Sequence, residues 1–272
     1  MKYVRGITIG LFVCVCVIFA VSRVIASKRD TTAPVIVSSE EEIHAEAGCD
    51  EAELLTGLRA SDDRDGDLTD QIMVRKISRF LEKGVCNIEY VVFDKSNNAG
   101  TFERKVYFDH YKSPEFRLSQ PLLYGVNSTI TISDRLSAED VMSGDLSDRV
   151  KIVSGNINRS DEGTYQITVE VTNEYGDTSR SELPVNVVSQ GKLSCTVELE
   201  TYLLYVKAGE IINPSQYITK AEDRSGEEID RENIIITQQV DLRVPGSGQY
   251  IYEVFDGTEC TGMSCLTVIV TE

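Results

Sequence analysis

The chain has 272 residues, 41% of them hydrophobic, no Trp, and a formal net charge of −17 from 27 Lys plus Arg against 44 Asp plus Glu. That length admits two or three domains of ordinary size. The acidic balance, with no basic cluster, repels phosphate backbones and excludes nucleic acid as a partner. The two histidines, His44 and His110, stand far apart and outside any zinc-binding or His-based catalytic pattern, and no nucleophile elbow, P-loop or paired catalytic carboxylates accompany them. The sequence predicts no enzyme and no obligate cofactor.

The first element is an uncharged run from Gly6 to Ser22, extended past Arg23 to Ala26, behind the basic residues Lys2 and Arg5. Its length predicts a transmembrane signal anchor over 6–26, with 1–5 as a short cytoplasmic tail. A cleaved signal peptide is the rival reading, with poor small-x-small sites at Ile18–Ala20 and Val24–Ala26 and a mature chain starting near Ser27. An anchor makes the membrane a partner through 6–26 and leaves the C-terminal domains outside the cell.

Beyond Asp30 the texture becomes short Val, Ile, Thr and Tyr segments separated by Gly, Asn, Asp and Ser clusters, which predicts an all-β fold of many short strands. Strands are expected at 35–37, 42–45, 57–60 and 72–77. A hairpin follows, with strands 87–93 and 101–108 about the turn Asp94–Gly100. The hairpin returns at 162–187 and 248–270, with Gly84, Gly163 and Gly248 opening the incoming strand and Asp94, Asn173 and Asp256 closing it. A second phrase recurs with it: A-S-D-D-R-D-G-D-L-T-D at Ala60–Asp70, A-E-D-V-M-S-G-D-L-S-D at Ala138–Asp148, and A-E-D-R-S-G-E-E at Ala221–Glu228. A spacing of about 80 residues divides the chain into three units, 31–110, 111–189 and a divergent 190–272. The short linkers predict an extended string.

Asp63, Asp65 and Asp67 alternate about Gly66 and make unit one a candidate calcium loop. The twelve-residue loop closed by a bidentate Glu is absent, because position twelve from Asp63 is Val74, and the acids thin out in units two and three. A turn held by local Asx hydrogen bonds is therefore the preferred reading of the phrase.

With these residues in hand, the units resemble the bacterial immunoglobulin-like domains of surface proteins and of a pesticidal crystal toxin. The resemblance rests on Ala33-Pro34-Val35-Ile36, on Ala60–Thr69, and on the strand from Gly84 to Asp94, where Cys86 stands in place of an aromatic residue. Unit two keeps Gly163-Thr164-Tyr165. Unit three keeps Gly248-Gln249-Tyr250 but lacks the A-P-x-I opening. The resemblance covers about 31–270 and implies three tandem immunoglobulin-like sandwiches displayed outside the cell as a stalk, an adhesion module or a binding module. The unknown partner would be an extracellular protein or glycan. The alternative is a secreted binding factor, accessory to a separate polysaccharide-active enzyme.

An extracellular setting also makes Cys49, Cys86, Cys195, Cys260 and Cys265 disulfide candidates, with one of the five left over, either free or intermolecular. Cys49–Cys86 is expected in unit one. In unit three the topology implied by the resemblance lets Cys195 meet Cys260 or Cys265, and a Cys260–Cys265 link is the other option. The competing reading leaves all five reduced and buried.

Overall fold

The computed structural model describes the backbone of residues 2–28, 30–256 and 259–272, and side chains at 7, 10–23, 30–255 and 259–272. It is all-β apart from an N-terminal helix α1 (Lys2–Lys28), a one-turn helix α2 (Glu51–Leu54) and short 3-10 turns. The chain divides into two compact units, Met1–Asp109 and His110–Glu272.

α1 bears on the expected anchor at 6–26. Among the described residues no helix is long and apolar enough to cross a membrane. The side chains of the tail at 1–5 lie outside the described ones.

The rest of the first unit is two sheets face to face. β1 (Val35–Ser38), β3 (Leu58–Asp62) and β4 (Gly66–Asp67) form one, in the order β1-β3-β4. β2 (Glu42–Glu46), β5 (Met73–Ile77), β6 (Val85–Phe93) and β7 (Ala99–Asp109) form the other, in the order β2-β7-β6-β5. β2 runs parallel to β7, and the remaining pairs are antiparallel. Alternation places Ile36, Leu58 and Ala60 of the first sheet and Ile43, Ile88, Tyr90, Val92 and Val106 of the second inside. Buried Arg104 crosses this core and donates to the Leu54 carbonyl (2.6 Å), the Tyr90 hydroxyl (3.1 Å) and the Ser38 hydroxyl (3.2 Å). α2, absent from the sequence expectations, thus supplies the acceptor for a buried cation.

The second unit holds two further pairs of sheets. β8 (Glu115–Leu118), β10 (Leu136–Asp140) and β11 (Gly144–Asp145) face a sheet of β9 (Leu123–Gly125), β12 (Lys151–Gly155), β13 (Gly163–Thr172) and β14 (Thr178–Val188). Phe116, Leu136, Ile167, Val169, Leu183 and Val185 fill the space between them. β15 (Thr196–Leu199) and β17 (Ile218–Glu222) likewise face a sheet of β16 (Leu203–Lys207), β18 (Ile234–Gln239), β19 (Gly246–Asp256) and β20 (Glu259–Thr271), around Val197, Ile218, Tyr252, Leu266 and Val268.

The expected extended string does not hold between residues 111–189 and 190–272. Leu123, Val188, Ile251 and Cys265 form one apolar cluster across them. Asn186 and Gln249, each 1% exposed, exchange amide hydrogen bonds of 2.8 and 3.1 Å beside it. The reason lies in the strands: from Leu183 to Val188 and from Cys265 to Val270 every residue is buried, so both faces of each strand are covered.

The expected disulfides are not formed, and the described cysteines are free thiols. Cys86 is fully buried within β6, whereas Cys49 is partly exposed in the turn after β2. In the second unit the Cys195 thiol turns to the Thr261 hydroxyl (3.4 Å), that of Cys260 to the Gly262 carbonyl (3.5 Å), and that of Cys265 accepts from the Asn186 amide (3.6 Å). Burial pushes Cys86 up to about 11 and Cys265 up to about 12, so neither ionises readily.

Candidate functional site

The acidic phrase Ala60–Asp70 leaves β3, turns at Gly66 with φ +78°, and returns through β4. Asp62 begins the turn, and its Oδ1 accepts from the backbone N–H groups of Arg64 and Asp65, both at 2.9 Å. That is the Asx arrangement the sequence predicts. It recurs at Asp140, whose Oδ1 accepts from Met142 and Ser143, and at Asp223, whose Oδ1 accepts from Ser225 and Glu227.

The acids proposed from spacing do not converge. Asp63 is exposed. Asp65 is held by the backbone N–H of Lys95 at 2.8 Å and by its ammonium at 3.1 Å, which together lower its carboxyl below the ordinary value. Asp67 is lowered in the same way by hydrogen bonds from Thr69.

Three other carboxylates do converge. Asp30, ahead of β1, Asp62, at the end of β3, and Asp94, in the hairpin turn between β6 and β7, bring one oxygen each within 4.8 Å of one another. Asp30 is 5% exposed and Asp94 7%. Asp62 is half-buried as a residue, with its carboxylate end enclosed beside them. Several of their oxygens are occupied. Asp30 Oδ1 accepts from the Thr32 N–H (3.0 Å). Asp94 Oδ1 and Oδ2 accept from the Asn98 backbone (2.7 Å) and side-chain amide (2.6 Å). The Arg64 guanidinium lies 3.6 Å from Asp30 Oδ2. Asp62 Oδ2, sealed from solvent, accepts no hydrogen bond.

Gly100 lets Asp30 reach this place. A Cβ built on Gly100 would stand 2.0 Å from the Pro34 carbonyl oxygen, so the segment leading into β1 lies directly on the β7 backbone. The Asn98 amide also donates to the Asp30 carbonyl at 3.3 Å, tying that segment to the hairpin turn.

A second surface of the first unit has a different character. The outer face of the β2-β7-β6-β5 sheet carries the His44 ring stacked on Tyr107 (centroids 5.1 Å apart, planes 13° apart) and the Lys105 ammonium 5.8 Å from the Tyr107 centroid. Glu42, Asn87, Glu89, Glu103 and Asp109 surround them in polar pairs, such as Lys105–Glu42 at 3.2 Å and His44–Asp109 at 3.0 Å. This face is polar and centred on two aromatic rings.

No family model matches this chain. The pesticidal crystal protein Cry22Aa of Bacillus thuringiensis is 26% identical to it over 204 residues, covering 73% of this chain and 27% of that protein. This chain therefore spans little more than a quarter of that relative. Among solved structures, the Drosophila N-cadherin EC1-3 fragment aligns at 12% identity over 87% of this chain and 99% of that one, with a TM-score of 0.30. The CBM51-2 and INT domains of Clostridium perfringens ZmpB, solved in complex with GlcNAc, align at 14% identity over 56% of this chain and 27% of that one, with a TM-score of 0.23.

Proposed function

We propose that the chain is a non-catalytic binding or adhesion protein built of immunoglobulin-like sandwiches and working outside the cytoplasm. One observation carries the binding reading: the exposed His44–Tyr107 face of the first unit. Stacked rings flanked by carboxylates, an amide and an ammonium offer what a sugar ring or a polar protein surface needs, an apolar plate with hydrogen-bonding groups at its rim. The corresponding stretches of the second unit, Leu183–Val188 of β14 and Cys265–Val270 of β20, are covered on both faces and leave no such plate. Location outside the cytoplasm rests on the resemblance of the repeats, since the free thiols do not support it.

The test is a glycan array and a protein pull-down with the full chain beside its His44→Ala and Tyr107→Ala variants. A ligand retained by the parent and lost by both variants supports the reading. A ligand indifferent to both variants sinks it.

A further inference from the structure

We propose that Asp30, Asp62 and Asp94 bind a calcium ion at the head of the first unit. The site stands independently of the binding face, because an ion can bind there with or without a macromolecular partner.

Three observations carry it. The donors are all hard carboxylate oxygens, the set that calcium takes. Their spacing suits one shared ion: an oxygen from each lies within 4.8 Å of the other two, and oxygens on opposite sides of a calcium ion stand about 4.8 Å apart at about 2.4 Å per bond. Finally, Asp62 Oδ2 is enclosed with no donor, although burying an unpaired carboxylate oxygen is costly.

The second unit shows what the same place looks like when protein groups satisfy it. Asp140 holds the position of Asp62, with the same Asx turn through Oδ1, but its Oδ2 accepts from the Asn173 amide at 2.8 Å. Asn173 holds the position of Asp94, and its amide also reaches the Tyr111 hydroxyl (2.9 Å), which donates to Asp177 at 2.8 Å. Asp177 stands where the first unit has Asn98. Acid and amide have changed places along the hairpin turn, and a phenol fills the corner that Asp30 occupies. Asp140, Asn173, Tyr111 and Asp177 all have partners there without an ion. In the first unit the Arg64 guanidinium lies 3.6 Å from Asp30 Oδ2, from a side chain 51% exposed, and Asp62 Oδ2 stays unmatched.

Calcium would take Asp62 Oδ2, one oxygen from each of Asp30 and Asp94, and waters to complete its shell. The Asn98 side chain, turned about its last torsion, presents Oδ1 in place of the amide that now faces Asp94 Oδ2. Arg64 swings out to solvent. Affinity is expected in the range of extracellular calcium modules, with Kd about 10⁻⁴–10⁻³ M.

The experiment is isothermal titration of the full chain with calcium chloride, and separately with magnesium chloride, alongside amide hydrogen exchange. The expected result is one calcium per chain, weaker magnesium binding, and slowed exchange at Arg64, Asp65 and Asn98, whose N–H groups hold the loops. Asp62→Asn and Asp94→Asn abolish binding, while Arg64→Ala and exposed Asp63→Asn keep it. Asp94→Asn copies the residue that the second unit already carries at this place, so it tests the site without unfolding it. No heat and no change in exchange up to about 10 mM calcium, well above the expected Kd, overturns the proposal. So does binding that survives both Asp→Asn changes, or magnesium binding as tightly as calcium.

Discussion

The heads of the first two sandwiches are built on one plan and neutralised in two ways. Each starts with an aspartate whose Oδ1 closes an Asx turn after a strand, and each brings a residue from the hairpin turn against that aspartate's Oδ2. In the second unit the incoming residue is an amide, and burial together with the Asp177 carboxylate drives the Tyr111 phenol well above its ordinary range, so it stays a donor. In the first unit the incoming residue is a third acid. The same backbone can therefore carry a self-contained polar network or a cluster of like charges, and the difference lies in two or three side chains rather than in the turn.

Exchanging the parts between the two heads should break that contrast. The largest effect is expected from Asn173→Asp, which replaces the 2.8 Å hydrogen bond to Asp140 by two buried carboxylates facing each other. Loss of about 3–5 kcal/mol is expected in urea unfolding, the range for an uncompensated buried charge. Gly100→Ala comes next, at about 1–3 kcal/mol, because the new methyl meets backbone rather than a movable side chain. That variant should also lose the calcium response, since it lifts the segment bearing Asp30. Tyr111→Phe removes one hydroxyl between Asn173 and Asp177 and should cost about 1–2 kcal/mol by the same measurement.

The smallest effect is one the two units share. Asp65 and Asp67 in the first, and Asp145 and Asp223 in the second, are held below their ordinary value of 3.8 mainly by hydrogen bonds to their ionised form. A depressed carboxyl stabilises the fold above its unfolded value and loses that contribution as pH falls through its folded value. The urea midpoint should therefore be insensitive to these groups down to about pH 4 and fall below it. Asp67→Asn should flatten that fall in the first unit only.

Much of this was legible in the sequence. The hairpins at 85–109, 163–188 and 246–271 follow from period-two patterning around Gly- and Asn-containing turns. The Asx role of Asp62, Asp140 and Asp223 follows from their place before a glycine turn. The ligand set was not legible, because spacing draws the eye to Asp63, Asp65 and Asp67, which are neighbours along the chain. The residues that meet in space come from three segments, and Asp30 belongs to none of the repeated phrases. Asp94 and Asn173 end equivalent strands in the sequence, and only the fold sets them against Asp62 and Asp140. The packing of the last two sandwiches did leave a trace: Leu183–Val188 and Cys265–Val270 lose the alternation of a half-exposed strand. Asn186 and Thr267 within those runs obscure it, because a polar residue reads as an outward position until a partner such as Gln249 is in view.

The reciprocal amides of Asn186 and Gln249 bear on how this chain can be divided. The sequence repeats about every 80 residues, but the compact unit after Asp109 runs to the end of the chain. A cut after Ser189, at the repeat boundary, would strand two amides and uncover Leu123, Val188, Ile251 and Cys265. Each half would be left with a sticky flank. A cut at Asp109 would spare that seam, so in this molecule the portable part is a single sandwich at one end and an inseparable couple at the other.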